Sequence, residues 1–429
     1  MRRWETSPAS QRRDIMSIKV ESANISIDEK TLAENRKSAA EAFETLKAGT
    51  LNMTGWVTLP DEITDEKFDA LNAAADKIKS DSDYLIVVGI GGSFLGACTV
   101  IDMLDKGRGA KVLFAGHGFD PVELDETLKE AESGDYSVCV ISKSGGTAEI
   151  ISTFGIIRER MLARYGREET AKRTYVITGA DGFLSDLAKQ EGMVTFGIPD
   201  NIGGRYSVFT DGGLLPIAAA GIDIKALVGA AAKAKAEDFN AEDSFDYAIM
   251  RQLLNKGEAA DDKTSKTAEI YEFCDRRLVM FGEWLKQLFG ESEGKEGKGV
   301  IPMSLLFSRD LHSMGQFLQQ GSPIFYETMI RQDADFDVDF TVPDDVPQPF
   351  AGMKMSKIER GMETGVTKAH IDAGTPVITI HFNKLDEESV GELLYWFKVQ
   401  CAVSVLLLGV DPFNQPGVEA YKSEMRKAL

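Results

Sequence analysis

Gln287 and Glu291 stand four residues apart in the run Gln287-Leu288-Phe289-Gly290-Glu291-Ser292-Glu293-Gly294-Lys295, a spacing that sets both side chains on one face of a helix end. A carboxylate between Phe289, Gly290 and a tight glycine-rich turn would lose part of its hydration. That disfavours the charged form and would bring its pKa towards the range useful to a general base. The same composition also fits a solvated charged loop over 291–298. Downstream, Asp310-Leu311-His312-Ser313-Met314-Gly315-Gln316 offers a histidine as a second proton carrier, or equally as a satisfied structural imidazole.

Other runs suit an anion. Ser142-Lys143-Ser144-Gly145-Gly146-Thr147 follows an apolar stretch. Its hydroxyls, together with exposed N–H groups at a helix start, match the oxygens of a monophosphate, and the helix dipole favours the charge. A polar turn capping an ordinary helix is the plain alternative. Gly89-Ile90-Gly91-Gly92-Ser93-Phe94-Leu95-Gly96 also lies between a strand and a helix, but a dinucleotide fingerprint needs glycine where Phe94 stands. In Gly203-Gly204-Arg205-Tyr206-Ser207 a guanidinium follows two unobstructive glycines. There it could stabilise a developing oxyanion, or merely bridge to a surface acid. Finally, the prolines of Asp411-Pro412-Phe413-Asn414-Gln415-Pro416 end the preceding helix and set Gln415 and Lys422 for contact with a ligand, unless the segment is only a terminal cap.

The elements that must position these groups are regularly α/β. After an amphipathic helix around 28–47, short runs rich in Val, Ile, Leu or Phe at 83–90, 111–115, 136–142, 173–178 and 193–197 read as buried strands separated by helices. That pattern predicts a doubly wound parallel sheet with helices on both faces. An Ala-rich, charged stretch over 213–263 reads as connecting helices. A second α/β unit has candidate strands at 299–307, 324–330 and 376–382 and a buried helix at 391–408. The expected division is an extension over 1–15, a helical segment over 16–80, a first α/β domain over 81–212, a helical connection over 213–265, a second α/β domain over 266–410 and a C-terminal segment over 411–429. Ligands of such sheets favour the carboxyl ends of the strands.

The 429 residues carry 48 Lys and Arg against 68 Asp and Glu, a formal charge of −20. That argues against a protein that coats nucleic acid or an anionic membrane, and confines any anionic substrate to a locally positive pocket. The four cysteines, Cys98, Cys139, Cys274 and Cys401, form no C-x-x-C pair and read as buried reduced thiols. His117, His312, His370 and His381 show no close ligand pairing, so neither a required metal nor a cofactor is expected. Arg2, Arg3, Arg12 and Arg13 mark an N-terminus without the apolar core of an export signal, and Met16 is an alternative start. The best apolar run, 402–410, falls short of the ~20 residues that cross a bilayer.

Taken together, V-G-I-G-G-S-F-L-G at 88–96, I-S-K-S-G-G-T-A-E at 141–149, G-G-R-Y-S at 203–207, G-E-S-E-G-K from Gly290, D-L-H-S-M-G-Q at 310–316 and Q-P-G-V-E-A-Y-K at 415–422 resemble the glucose-6-phosphate isomerase family in its shorter bacterial form, in the family's order. The resemblance implies two doubly wound sugar-isomerase domains with helical N- and C-terminal extensions, and reversible conversion of glucose 6-phosphate to fructose 6-phosphate in the cytoplasm. It assigns Glu291 as the base that carries a proton between C2 and C1, Arg205 as stabiliser of the enediolate, and His312 with Lys422 as the ring-opening pair. Gln287 and Gln415 would orient sugar oxygens. Ser93, Ser142, Lys143, Ser144 and Thr147 would bind the phosphate, helped by Gly92 and Gly204. A homodimer with shared active sites is implied, the histidine reaching the neighbour's site, with no nucleic-acid or membrane partner. One departure is Gly146, where the family's phosphate loop carries a hydroxyl residue. A sugar-phosphate-sensing regulator is the non-enzymatic alternative; it needs the phosphate loop but not Glu291, His312 and Lys422. Acceptance of mannose 6-phosphate is left open.

Overall fold

A computed structural model describes residues 18–428 of the protein. The extension expected over 1–15 and the alternative start at Met16 lie outside the described residues. Chain order begins with β1 (Lys19–Ala23), α1 (Glu29–Lys47), α2 (Leu59–Glu62) and α3 (Asp65–Asp81). Asp28 caps α1 by accepting from the Thr31 N–H, so this helix starts where the amphipathic pattern does.

The first sheet is built from β2 (Tyr84–Val88), β3 (Lys111–Ala115), β4 (Tyr136–Ser142), β5 (Thr174–Thr178) and β6 (Val194–Gly197). Its helices are α4 (Gly92–Leu104), α5 (Pro121–Ala131), α6 (Ala148–Lys172) and α7 (Phe183–Glu191). All pairings are parallel, in the order β3-β2-β4-β5-β6. The central strand β4 is buried at every residue, as a parallel strand covered on both faces requires. Connections leave β2 and β4 in opposite directions, which opens a crevice between their carboxyl ends.

The connecting stretch folds as α8 (Asp211–Ala219), α9 (Ile224–Glu237) and α10 (Asp246–Lys256). The second unit then comprises β7 (Ala268–Phe273), α11 (Val279–Glu293), β8 (Ile301–Leu306), α12 (Leu311–Gln320), β9 (Phe325–Gln332), α13 (Met355–Asp372), β10 (Val377–Phe382), α14 (Glu387–Leu408) and α15 (Pro416–Ala428). Its sheet runs β1-β10-β9-β7-β8, parallel except that β1 adds antiparallel to β10 with Lys19 opposite His381.

Two strands depart from the sequence reading. β1 lies in a stretch read as helical, and its strand partner β10 is more than 350 residues away. β7 has no strand signature in the sequence because Glu269 and Glu272 interrupt its apolar run; both are buried. By strand alternation Glu269 and Tyr271 face α10 and α11, whereas Ile270 and Glu272 face the other way, towards α12 and α13.

One continuous core joins both units: Val87 and Ile141 of the first sheet belong to the same apolar cluster as Tyr271 and Ile380 of the second, with α14 between. α14 is long and apolar enough to cross a membrane by length and composition, but 83% of its apolar window is buried inside the protein, so here it is a core helix.

Candidate active site

Both glycine-rich turns of the first sheet open onto the crevice between β2 and β4. Gly91 adopts φ +55, and a Cβ there would lie 2.8 Å from Nε2 of Gln287. At Gly92 a Cβ would come within 1.9 Å of the Gly204 carbonyl oxygen, so only glycine lets the start of α4 meet the turn that carries Arg205. After β4 the chain turns through Gly145, whose N–H donates to the Ser142 carbonyl at 3.1 Å. The turn gathers three hydroxyls: Thr147 Oγ1 lies 3.3 Å from Ser142 Oγ and 3.4 Å from Ser144 Oγ. Thr147 occupies the N-cap of α6 without capping it. The backbone N–H groups of Gly92, Lys143, Ser144 and Thr147 donate to no group among the described residues. Hydroxyls and unpaired N–H groups at a helix start make an anion cradle.

Lys143 is placed differently from a phosphate-facing cation. Its ammonium donates to the carbonyls of Asp200 at 2.7 Å and Ile202 at 3.1 Å, and burial pushes its pKa down. The side chain braces the loop that leads to Arg205, and its N–H is the group left for an anion. At Gly146 a Cβ would find nothing closer than 4.0 Å, so the turn has room for the side chain it lacks. The Ser93 hydroxyl makes no hydrogen bond among the described residues.

Across the crevice, three residues singled out in the sequence converge on a fourth. The Glu291 carboxylate accepts from Arg205 Nη1 at 3.3 Å, from Gln287 Nε2 at 3.3 Å and from Gln415 Nε2 at 3.0 Å. It is therefore held by polar donors, with 33% of its side chain still exposed, rather than enclosed by apolar residues. Nor does it sit at a strand's carboxyl end. It occupies the last turn of α11, where Gly290 packs towards Pro302 at the start of β8. Arg205 is buried to 1% exposure. Its Nε donates to Ser292 Oγ at 2.8 Å and its Nη2 to the carbonyls of Pro412 and Asn414. The turn beneath it is braced by Tyr206, stacked on Trp56 at 4.8 Å.

Other supports went unforeseen. Lys398, a lone cation in the apolar α14, donates to the Tyr206 carbonyl at 3.4 Å and lies 4.3 Å from the Phe209 ring; burial pushes its pKa down to about 7. Glu293, two residues beyond Glu291, pairs with Arg251, which also binds Glu269 at 2.6 Å, all of them fully buried. Lys295 donates to the Asp411 carbonyl, and burial together with the neighbouring Arg205 pushes its pKa down to about 8.

Neither His312 nor Lys422 makes a hydrogen bond or an ion pair with Glu291. His312 lies exposed in the first turn of α12, its backbone N–H donating to the Arg309 carbonyl and its imidazole making no hydrogen bond among the described residues. Lys422, half exposed on α15, stands 3.8 Å from Glu419. Among the described residues two groups have the donors for a metal, Glu272 with Glu327 and His370, and Cys274 with Glu359 and Glu363. Neither includes a residue of the Glu291 cluster.

Residues 67–321 match the profile of a family described as phosphoglucose isomerase. The chain is 42% identical over 391 residues to a glucose-6-phosphate isomerase of Alkaliphilus metalliredigens, covering 86% of this chain and 85% of that one. It is 39% identical over 419 residues to one of Lactobacillus delbrueckii subsp. bulgaricus, covering 93% and 92%. Among solved structures, a hypothetical protein from Thermus thermophilus superposes with a TM-score of 0.83 at 24% identity, covering 94% of this chain and 99% of that one. A glucose-6-phosphate isomerase from Chlamydia trachomatis does so at 0.80 and 18%, covering 96% and 88%. At those identities the two structures establish the fold.

Proposed function

The chain belongs to the phosphoglucose isomerase family and interconverts D-glucose 6-phosphate and D-fructose 6-phosphate, a step of glycolysis and gluconeogenesis; we propose that Glu291 is the base that carries its proton. The observation behind this is the convergence of Arg205, Gln287 and Gln415 on one carboxylate. After ring opening, Glu291 takes the C2 proton of the aldose and returns it to C1. Charge then builds on the oxygens of the cis-enediolate, beside the buried Arg205 guanidinium. A cation fixed before the reaction needs no reorganisation as that charge appears. Gln287 and Gln415 hold the carboxylate and present their amides to sugar hydroxyls. Ser93, Ser142, Ser144 and Thr147, with the N–H groups of Gly92 and Lys143, take the phosphate. Gly204, pressed against Gly92, keeps the two halves of the site at one separation.

His312 and Lys422 open the ring, His312 from the second subunit of a homodimer. Its exposed imidazole has no partner among the described residues. It shares α12 with Phe317, 40% exposed, and follows the edge strand β8, where Ile301 is 65% exposed. Apolar side chains left wet beside a catalytic histidine fit a two-fold interface. The enzyme is cytoplasmic in this reading, acts on the free sugar phosphate with no nucleic-acid or membrane partner, and requires no metal.

Purified protein given fructose 6-phosphate in chelator-treated buffer should produce glucose 6-phosphate; no turnover would remove the activity. Subunit exchange tests the shared site. Mixing Glu291→Gln with His312→Ala dimers should restore about a quarter of wild-type activity, because half the dimers are mixed and each mixed dimer has one intact site. If both residues came from one chain, mixing would restore nothing.

A further inference from the structure

Lys295 has no part in the chemistry just described, yet its ammonium is aimed at the site's edge. It leaves the end of α11 four residues after Glu291 and donates to the carbonyl of Asp411. From the other side, Arg205 donates to the carbonyls of Pro412 and Asn414. Three carbonyls of one short turn thus face two cations. The turn is closed on itself by Asp411, whose Oδ1 accepts from the Phe413 N–H at 2.8 Å. Its next residue, Gln415, donates to Glu291 at 3.0 Å, and α15, which carries Lys422, starts immediately after.

We propose that Lys295 is a positioning residue that, with Arg205, latches the 411–415 turn and so sets Gln415 and α15 against Glu291. The arrangement resolves a conflict of charges. Lys295 and Arg205 repel each other across a partly dry site, and the negative ends of the turn's carbonyl dipoles between them offset that repulsion. Arg205 reaches the turn through Nη2 alone, since its Nε is turned to Ser292 and its Nη1 to Glu291. The phosphate cradle lies in the first sheet and shares no bond with Lys295, so loss of the latch should spare substrate capture and harm the proton transfer.

The proposal rests on Glu291 as the base, and its test separates the two. In Lys295→Met, kcat should fall about ten- to a hundredfold, the cost of a misplaced catalytic neighbour, with KM nearly unchanged. Lys295→Arg, which keeps the charge, should recover most of the loss. Amide hydrogen exchange over 411–428 should quicken in Lys295→Met while exchange elsewhere and the unfolding midpoint stay put. Adding Lys295→Met to Gln415→Ala should cost far less than it does alone, since both act through one contact. A fall in kcat without faster exchange over 411–428, or full additivity with Gln415→Ala, overturns the latch. Retained activity in Glu291→Gln would instead remove the base and leave the exchange result standing.

Discussion

Glu291→Gln lowers kcat by about a thousandfold or more, within the range that a positioned general base contributes, and abolishes exchange of the transferred proton with solvent. The variant should fold and still bind a non-isomerisable sugar phosphate. The surroundings favour that separation. All three groups on the carboxylate are donors, so the new amide must turn its oxygen to Arg205 and Gln415 and its NH2 to Gln287. Gln287 can accommodate it, because its own Oε1 is buried without a partner among the described residues and a flip of the amide would bring that oxygen round to accept. The hydroxyl turn of Ser142, Ser144 and Thr147 lies across the crevice and keeps its geometry. Steady-state kinetics, isotope exchange and ligand titration read the three outcomes separately; activity within about tenfold of wild type would take the base role from Glu291.

Arg251→Met should be the most destabilising single change, about 3–5 kcal/mol in denaturant unfolding, the cost of breaking a buried pair from one side. Arg251, Glu269 and Glu293 are all fully buried, and both carboxylates depend on the one guanidinium. Ser404, Tyr247, Tyr271 and Thr328 add hydrogen bonds to the carboxylates, but none adds positive charge. Losing the cation strands two anions between α10, α11 and β7. Because Glu293 and Glu291 share the last turn of α11, the damage reaches the site as well. The triple variant Arg251→Met, Glu269→Gln, Glu293→Gln should recover much of the loss, since neutral amides need no counter-charge. If Arg251→Met unfolded at the wild-type midpoint, the network would carry no stability.

The site's local parts were legible because they depend on residues close in the chain. The i, i+4 spacing of Gln287 and Glu291, the hydroxyl turn after β4 and the glycines at 91 and 92 are each dictated within a few residues by helix geometry or by steric room. The apolar runs of β2 to β6 were legible for a similar reason, since a parallel strand covered on both faces has few polar residues. β7 failed that test: its two glutamates look like surface until the fold supplies Arg251 for one of them.

The sequence by itself determined which groups could do the chemistry and the order in which they occur. Tertiary structure decided where each points. Lys143, beside the hydroxyls in sequence, turns its ammonium to the carbonyls of Asp200 and Ile202, whereas Gln415, 124 residues from Glu291, is the amide that meets it. Side-chain direction is set by whichever partner the packed chain brings within about 3 Å, and beyond a few residues sequence separation carries no information about that distance. His312 is the limiting case: its identity is plain in the sequence, and folding leaves it on the surface of its own chain.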